Sequence, residues 1–519
     1  MSMCQGYYMK LIPLSLLFLS VSSYADIEYK LTEIVNSPSG KYQGLEQEGY
    51  LQFKGIPYAE PPVGEKRWQA PENKSVMEGV YFAGKFGNSC ATTVSLAGFS
   101  KISQSEDCLY LNVYAPKDNE GKKRPVLVWI PGGGLRTGSG DEYDVSNFIK
   151  KDIVVVTINY RLGVFGFFSH PALNHESKKI NYGLLDQQKA LSWVQRNIAS
   201  FGGDPDNVTL FGESAGGHSV LANIVSPLSS GLFKKAIISS GSYNLDQKNI
   251  AQANAVGLEV AKAVGCDDGT PDGQLACLKK TPVAKLATTA ISNLYNDQFT
   301  IDGDIIPYTF NEAIAKGKVN KVDIINGFQN NEGTFFAGVI ENDAGKKIDK
   351  QIYTASMMTL YGKSFSSVEE TDDNTDFTAK LSDDLTKYKF ICPSLQFNAE
   401  MAKKNRLYAY VFNDKTAPQY IPKMSRPYLA AHTSELIYFF DGFHGATGVK
   451  QALTKEQQRL SDNIVSYLSN FIKNGDPNQG APVREKWTEF NTEHMMAIEF
   501  SDKGIFDINN LSKKYVCPQ

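Results

Sequence analysis

The chain has 519 residues, 42% of them apolar and 21% charged, a composition that suits a globular protein with a large core. Its 53 basic and 56 acidic residues leave a formal net charge of −3 without any long basic run, which argues against nucleic acid or anionic membrane as a partner. No internal repeat or low-complexity tract points to a solenoid or a fibrous chain.

Taken in chain order, the first element is an export signal. Lys10 precedes the apolar stretch "LIPLSLLFLSVSS" (residues 11–23), and Ser23 and Ala25 supply small residues for cleavage after Ala25. Met9 would itself start a well-formed signal. The run of 13 residues is too short to span a bilayer. Residues 1–25 are therefore expected to be a signal peptide and 26–519 one large mature domain with insertions. The mature protein is expected to be periplasmic or secreted, without a stable membrane anchor.

Short apolar runs then alternate with helical patterns. "VLVWI" (126–130) and "IVVVTIN" (153–159) are continuous runs rich in β-branched residues, as expected of strands buried on both faces. Residues 182–201 predict a helix with Leu185, Ala190, Trp193 and Ile198 on one face. "GGDPDN" (202–207) breaks the chain before the strand "VTLFG" (208–212). "AIISSG" (236–241), "DIINGF" (323–328) and "LYAYVF" (407–412) continue the strands. This alternation predicts an α/β fold with a mostly parallel central sheet flanked by helices. A helical, charged stretch from about 340 to 400 reads as an insertion over the sheet.

Two loops at strand ends carry chemistry. "GESAG" (212–216) follows a strand and precedes a helix, the context in which G-x-S-x-G exposes a nucleophilic serine, here Ser214. "WIPGGGLRTG" (129–138) also follows a strand, and its glycines let backbone N–H groups approach a ligand. A serine needs a base. His218 is nearest in sequence, but one helical turn on, its ring would sit behind the hydroxyl. The α/β-hydrolase order of serine, acid, histidine excludes His170 and His175 and leaves His432, His444 and His494.

Of seven cysteines, Cys4 lies in the signal. Cys90, Cys108, Cys266, Cys277, Cys392 and Cys517 form an even set, which in an exported chain indicates disulfides. Closeness in sequence suggests Cys90 with Cys108 and Cys266 with Cys277, although spacing alone leaves the pairing open. No Cys/His spacing suggests a metal site.

With these residues in view, the chain resembles the type-B carboxylesterases, the family that includes cholinesterases and the non-catalytic neuroligins. "FKGIPYAEPPVGEKRW" (53–68), "SEDCLYLNVY" (105–114), "INYRLGVFGF" (158–167) and "FGGDPDNVTLFGESAGG" (201–217) carry the likeness; the C-terminal half matches only at islands. The resemblance implies an α/β-hydrolase fold with helical insertions and a serine esterase that hydrolyses small-molecule esters without metal or cofactor. It implies Ser214 as nucleophile and Gly133, Gly134 and Ala215 as the oxyanion hole. It further implies Glu332, in "NNEGTFF" (330–336), as the acid and His432, in "AAHTSELIYFF" (430–440), as the base. The family's disulfides map to Cys90–Cys108, Cys266–Cys277 and Cys392–Cys517, and its buried ion pairs to Arg67–Glu106 and Arg161–Asp186.

There are departures. Pro131 and Leu135 replace the usual residues on either side of the glycine run. The loop between Cys90 and Cys108 lacks the tryptophan with which cholinesterases bind a quaternary ammonium, and Phe99 is its only aromatic. Glu213 is either a carboxylate for a cation or a buried structural acid. Neutral esters are therefore expected to be preferred over choline esters, and the resemblance, through the family's usual pocket, implies small to medium acyl groups. The competing readings are an amidase or thioesterase with the same three residues, and a neuroligin-like recognition module. Such modules typically lose one of the three.

Overall fold

Apolar runs that cannot face water build the centre of the molecule. The computed structural model describes residues 30–95, 101–118, 121–173, 180–297, 299–361, 374–419, 421–441, 443 and 451–517. The expected signal segment, Phe99, His175 and His444 lie outside the described residues.

Among the described residues, eleven strands form the main sheet. They are β1 (Leu45–Gln47), β2 (Tyr50–Pro57), β3 (Tyr110–Pro116), β4 (Arg124–Ile130), β5 (Val154–Ile158) and β6 (Gly203–Glu213). β7 (Lys235–Ser239), β8 (Asp323–Gln329), β9 (Leu407–Asn413), β10 (Ala497–Ser501) and β11 (Gly504–Ile508) complete it. Their order across the sheet is β11-β10-β9-β8-β7-β6-β4-β5-β3-β2-β1. From β10 across to β5 every neighbouring pair is parallel; the pairs at both margins are antiparallel.

Both faces are covered. In β4, Val126, Val128 and Ile130 enter one apolar core, while Leu127 and Trp129 enter the other. β9 divides Leu407, Ala409 and Val411 from Tyr408, Tyr410 and Phe412 in the same way. Helices α1 (Tyr182–Asn197) and α2 (Ala215–Val225) pack on the first face. Between β8 and β9 lie α3 (Gly333–Ala344), α4 (Lys350–Tyr361), α5 (Phe377–Asp384), a π-helical segment (Leu385–Ile391) and α6 (Cys392–Met401). Residues of α3 to α5 close a small core of their own around Ala337, Tyr353, Met357 and Leu381. On the second face α7 (Lys455–Asn474) buries Ile464, Leu468 and Phe471.

Two expectations need correction. α1 ends at Asn197 and continues as a 3-10 turn, and its buried side is wider than expected: Ala190, Trp193 and Ile198 are buried as expected, Leu184, Leu191 and Val194 are buried as well, and Leu185 is only partly so. The N-terminal segment crosses this helix, with Ser37 Oγ and the Ser39 amide donating to Asn197 Oδ1, so more than one face is shielded. β6 starts at Gly203, inside the presumed break, because Gly203 pairs with Arg124 and a register shift absorbs the residues between.

Disulfides join Cys90 to Cys108, Cys266 to Cys277 and Cys392 to Cys517, with Cα separations of 4.9, 5.6 and 5.6 Å. Arg67 donates to both Glu106 oxygens at 2.7 and 2.5 Å. Its Nη1 also serves the carbonyls of Leu278, Lys279 and Thr281, at the end of the helix that carries Cys277. Arg161 donates through Nε and Nη2 to the two oxygens of Asp186, each at 2.8 Å, and its amide adds a third bond at 3.0 Å. Asp186→Ala strands this buried guanidinium and is expected to cost about 3–5 kcal/mol in urea unfolding. A loss below about 1 kcal/mol would show that the pair does not hold the fold.

Candidate active site

β6 ends at Glu213 and α2 begins at Ala215, so Ser214 alone makes the turn, with φ 54° and ψ −125°. An L-residue in such a region costs on the order of 1–3 kcal/mol and persists only when its surroundings enforce it. The Ser214 amide donates to the Ser239 carbonyl at 2.8 Å, and the Ser214 carbonyl accepts from the His218 amide at 2.8 Å. Space is the second constraint. A Cβ on Gly212 would lie 2.3 Å from the Gly216 carbonyl carbon, and one on Gly216 would lie 2.1 Å from the Ile130 oxygen.

The structure brings Ser214, His432 and Glu332 together. His432 Nε2 lies 2.8 Å from Ser214 Oγ, and Nδ1 lies 2.6 Å from Glu332 Oε2. The pattern assigns Nδ1–H as donor to the carboxylate and Nε2 as acceptor from the hydroxyl. The second Glu332 oxygen accepts the Gln329 amide at 2.9 Å and the Ser240 hydroxyl at 2.6 Å. Glu332 is fully buried and His432 is 3% exposed. Phe336 and Phe390 pack on the imidazole at centroid distances of 5.0 and 4.9 Å. Such a chain can draw the proton from a serine hydroxyl and hold the resulting imidazolium.

The other described histidines are elsewhere. His218 stacks on Tyr243 at 4.7 Å and binds the Gly241 carbonyl through Nδ1 at 3.1 Å. Burial pushes its pKa down to about 4, which keeps it neutral. His170 bonds Gln274 at 3.2 Å, and His494 is exposed.

Ser214 opens on a cavity of about 330 Å³. Gly133 and Gly134, at φ 104° and 65°, line it as well. A Cβ would lie 2.4 Å from the Thr137 oxygen at Gly133, and 2.6 Å from Asn296 Oδ1 at Gly134. The Gly133 carbonyl is turned back to accept the amides of Arg136 and Thr137 at 3.1 and 3.2 Å. In a trans peptide the Gly134 N–H then points the opposite way. The Ala215 N–H belongs to the first turn of α2, where no intrahelical acceptor exists. Donors of this kind, with the positive end of a helix, can stabilise an oxyanion. The Pro131 carbonyl, just before the glycines, accepts the Tyr160 hydroxyl at 3.0 Å.

Of the polar groups in the cavity, the sequence marked Glu213, as a carboxylate for a cation or a buried structural acid, and was silent on the others. Glu213 is buried, with Oε1 3.3 Å from His432 Nε2, and burial together with the charges of Glu435 and Glu332 holds its pKa well above the usual carboxylate range. Glu142 is buried in the wall, and burial, aided by Asp141, pushes it up to about 8. Tyr243, Asp297, Lys389 and Phe390 line the cavity too. Tyr243 could have been suspected, since it lies just past the C-terminal end of β7, the edge where open parallel sheets bind ligands. Lys389 sits in the π-helical segment and has no such marker.

The model of the "Carboxylesterase family" matches residues 32–515. The chain belongs to the carboxylesterase family. This carboxylesterase is 34% identical over 482 residues to a para-nitrobenzyl esterase of Bacillus subtilis (strain 168), covering 89% of this chain and 93% of that protein. It is also 34% identical over 473 residues to the cocaine esterase of Homo sapiens, covering 86% and 82% respectively. The solved structure of a "thermophylic PNB esterase" superposes with a TM-score of 0.79 at 30% identity, covering 93% of this chain and 98% of that one. The sheet and its helices are thus an α/β-hydrolase fold, and the protein is a carboxylic ester hydrolase.

Glu142 offers a test of the cavity's electrostatics. Its folded pKa lies above the unfolded value of 4.5, so the fold binds this proton more tightly. The stability it contributes is complete below that value and is lost as pH rises to about 8. Glu142→Gln, which does not titrate, is therefore expected to gain on the order of a few kcal/mol on wild type between roughly pH 5 and pH 8. Unfolding midpoints at both pH values measure this, and parallel pH curves for the two proteins would refute it.

Proposed function

We propose that Ser214 attacks the carbonyl carbon of a neutral carboxylic ester while His432 takes the hydroxyl proton. Glu332 fixes the imidazole through Nδ1 and stabilises its charge. Gly133, Gly134 and Ala215 receive the oxyanion. The intermediate collapses, His432 gives its proton to the departing alcohol, and the acyl group stays on Ser214 Oγ. A water deprotonated by His432 then releases the acid and restores the enzyme. The observation that carries this reading is the 2.8 Å contact between His432 Nε2 and a serine hydroxyl held on a strained turn. An amidase or thioesterase would use the same groups; relatives named for para-nitrobenzyl and cocaine esters favour the ester. Residues 1–25 direct the chain out of the cytoplasm, a reading supported by three disulfides.

The preference for uncharged esters follows from the cavity wall. Phe336, Phe390 and Tyr243 offer ring faces, but the Lys389 ammonium already lies 5.3, 5.7 and 5.2 Å from their centroids. Arg136 adds a second cation to the same wall. A quaternary ammonium entering here meets like charge where it needs a free ring.

Ser214→Ala is expected to lose several powers of ten in kcat while remaining folded by circular dichroism. His432→Ala should fall about as far, because the two act as one unit, whereas His218→Ala retains most of its turnover below its unfolding temperature. The reverse ranking of the histidine variants would falsify the assignment of the base. For substrates, a choline ester is expected to be hydrolysed no faster than its uncharged carbon isostere with the same acyl group. A cation–π site contributes about 2 kcal/mol, or roughly 30-fold in kcat/KM, so a choline ester favoured more than about tenfold contradicts the reading.

A further inference from the structure

Tyr243, Asp297 and Lys389 line the cavity and take no part in the steps above. All three are buried, Asp297 at 7% and Lys389 at 8% exposure. The Tyr243 hydroxyl donates to Asp297 Oδ1 at 2.8 Å, and Lys389 Nζ donates to Oδ2 at 3.2 Å. The Asp297 amide donates to the Gly134 carbonyl at 3.1 Å, so the cluster is bonded to the glycine loop beside Ser214. Burial alone would raise the Asp297 carboxyl, but the Lys389 ammonium, helped by the Tyr243 hydroxyl, holds it below its ordinary value, and it remains an anion.

A buried ion pair is an expensive way to build a wall, because apolar side chains of similar volume stabilise a fold as well or better. This pair also has unused capacity. An ammonium has three donors, and Asp297 takes one of them. The rings around Lys389 attract its charge without accepting a conventional hydrogen bond. Each Asp297 oxygen keeps room for a second donor. Lys389 also borders a second cavity, of about 280 Å³, but Asp297, Tyr243, Phe336 and Phe390 line only the first, which puts the charged end of Lys389 on the side of Ser214.

The pair selects its ligand by charge. A carboxylate would meet Asp297, and an ammonium would meet Lys389. A hydroxyl can donate to Asp297 and accept from Lys389 without adding charge. We infer that Tyr243, Asp297 and Lys389 form a subsite for a hydroxyl group carried by the ester substrate. The inference rests on Ser214 as the attacking group, since the subsite is defined by its place beside that serine.

The test compares kcat/KM for pairs of esters on the same enzyme. Ethyl esters of ω-hydroxy acids of increasing length, each set against the ester with methyl in place of the hydroxyl, probe the acyl side. Acetates of ω-hydroxy alcohols set against alkyl acetates probe the alcohol side. In one series, at one length, the hydroxylated ester is expected to be preferred about tenfold or more, because its counterpart leaves buried polar groups unpaired. Lys389→Met combined with Asp297→Asn removes both charges together and should abolish that preference. Tyr243→Phe, a milder change that keeps the ring and the ion pair, should lower it about fivefold. No hydroxyl preference in either series overturns the inference. So does a double variant that slows both members of each pair alike, since that is the signature of a purely structural tether. Failure of the Ser214 reading appears separately, as activity retained in Ser214→Ala.

Discussion

One residue carries the reversal from the central strand β6 into helix α2, in a backbone conformation that an L-amino acid adopts only under compulsion. The compulsion comes from several directions. The Ser239 carbonyl at the end of β7 holds the Ser214 amide, and the backbone of Ile130 at the end of β4 passes so close to Gly216 that no larger residue fits. The neighbouring parallel strands are therefore part of the turn. Because such strands all finish at one edge, the residues that follow them meet in space: Glu332 just after β8 and His432 in the loop after β9, 100 residues apart in the chain. His432 is itself 218 residues from the serine that it touches.

The carboxyl groups around His432 differ through their surroundings. Glu332 receives a backbone amide, a serine hydroxyl and the imidazole. Glu213 lies 3.3 Å from the other ring nitrogen, and burial and neighbouring charge favour its protonated form. Glu435 accepts the Ser239 hydroxyl, and burial pushes it up to about 8. Two glutamates thus face one histidine, with the charge of Glu435 felt by both, and the one supplied with the most donors is the one bonded to Nδ1.

The strands and the serine turn were legible in the sequence because their signals are local. Short runs rich in β-branched residues suit strands buried on both faces, and two glycines flanking Ser214 announce a tight turn. The bounds were less legible. β6 reaches back into a segment rich in breaking residues because its partner β4 supplies a register shift, a property of the pair and not of either strand. The burial of α1 depends on a segment that lies more than a hundred residues earlier and crosses it. His432 could be narrowed to a few candidates by chain order, and family resemblance singled it out. The polar part of the cavity was silent for a different reason. Asp297 and Lys389 acquire their meaning only from each other, and nothing in "NDQF" or "YKFI" sets them apart from surface residues.

The π-helical segment Leu385–Ile391 holds Lys389 and Phe390 against the cavity, while Cys392 immediately after it is anchored to Cys517. A π-turn accommodates one residue more than an α-turn would. Removing a single residue here would let the helix relax to ordinary pitch and swing the preceding side chains by about a quarter turn, with the disulfide fixing the far end. The lining of the cavity can thus be exchanged by an insertion or deletion of one codon, without touching the sheet or the serine turn. Phe390 of this segment packs on the His432 imidazole, so a change of pitch here would re-seat the ring beside Ser214 together with the lining.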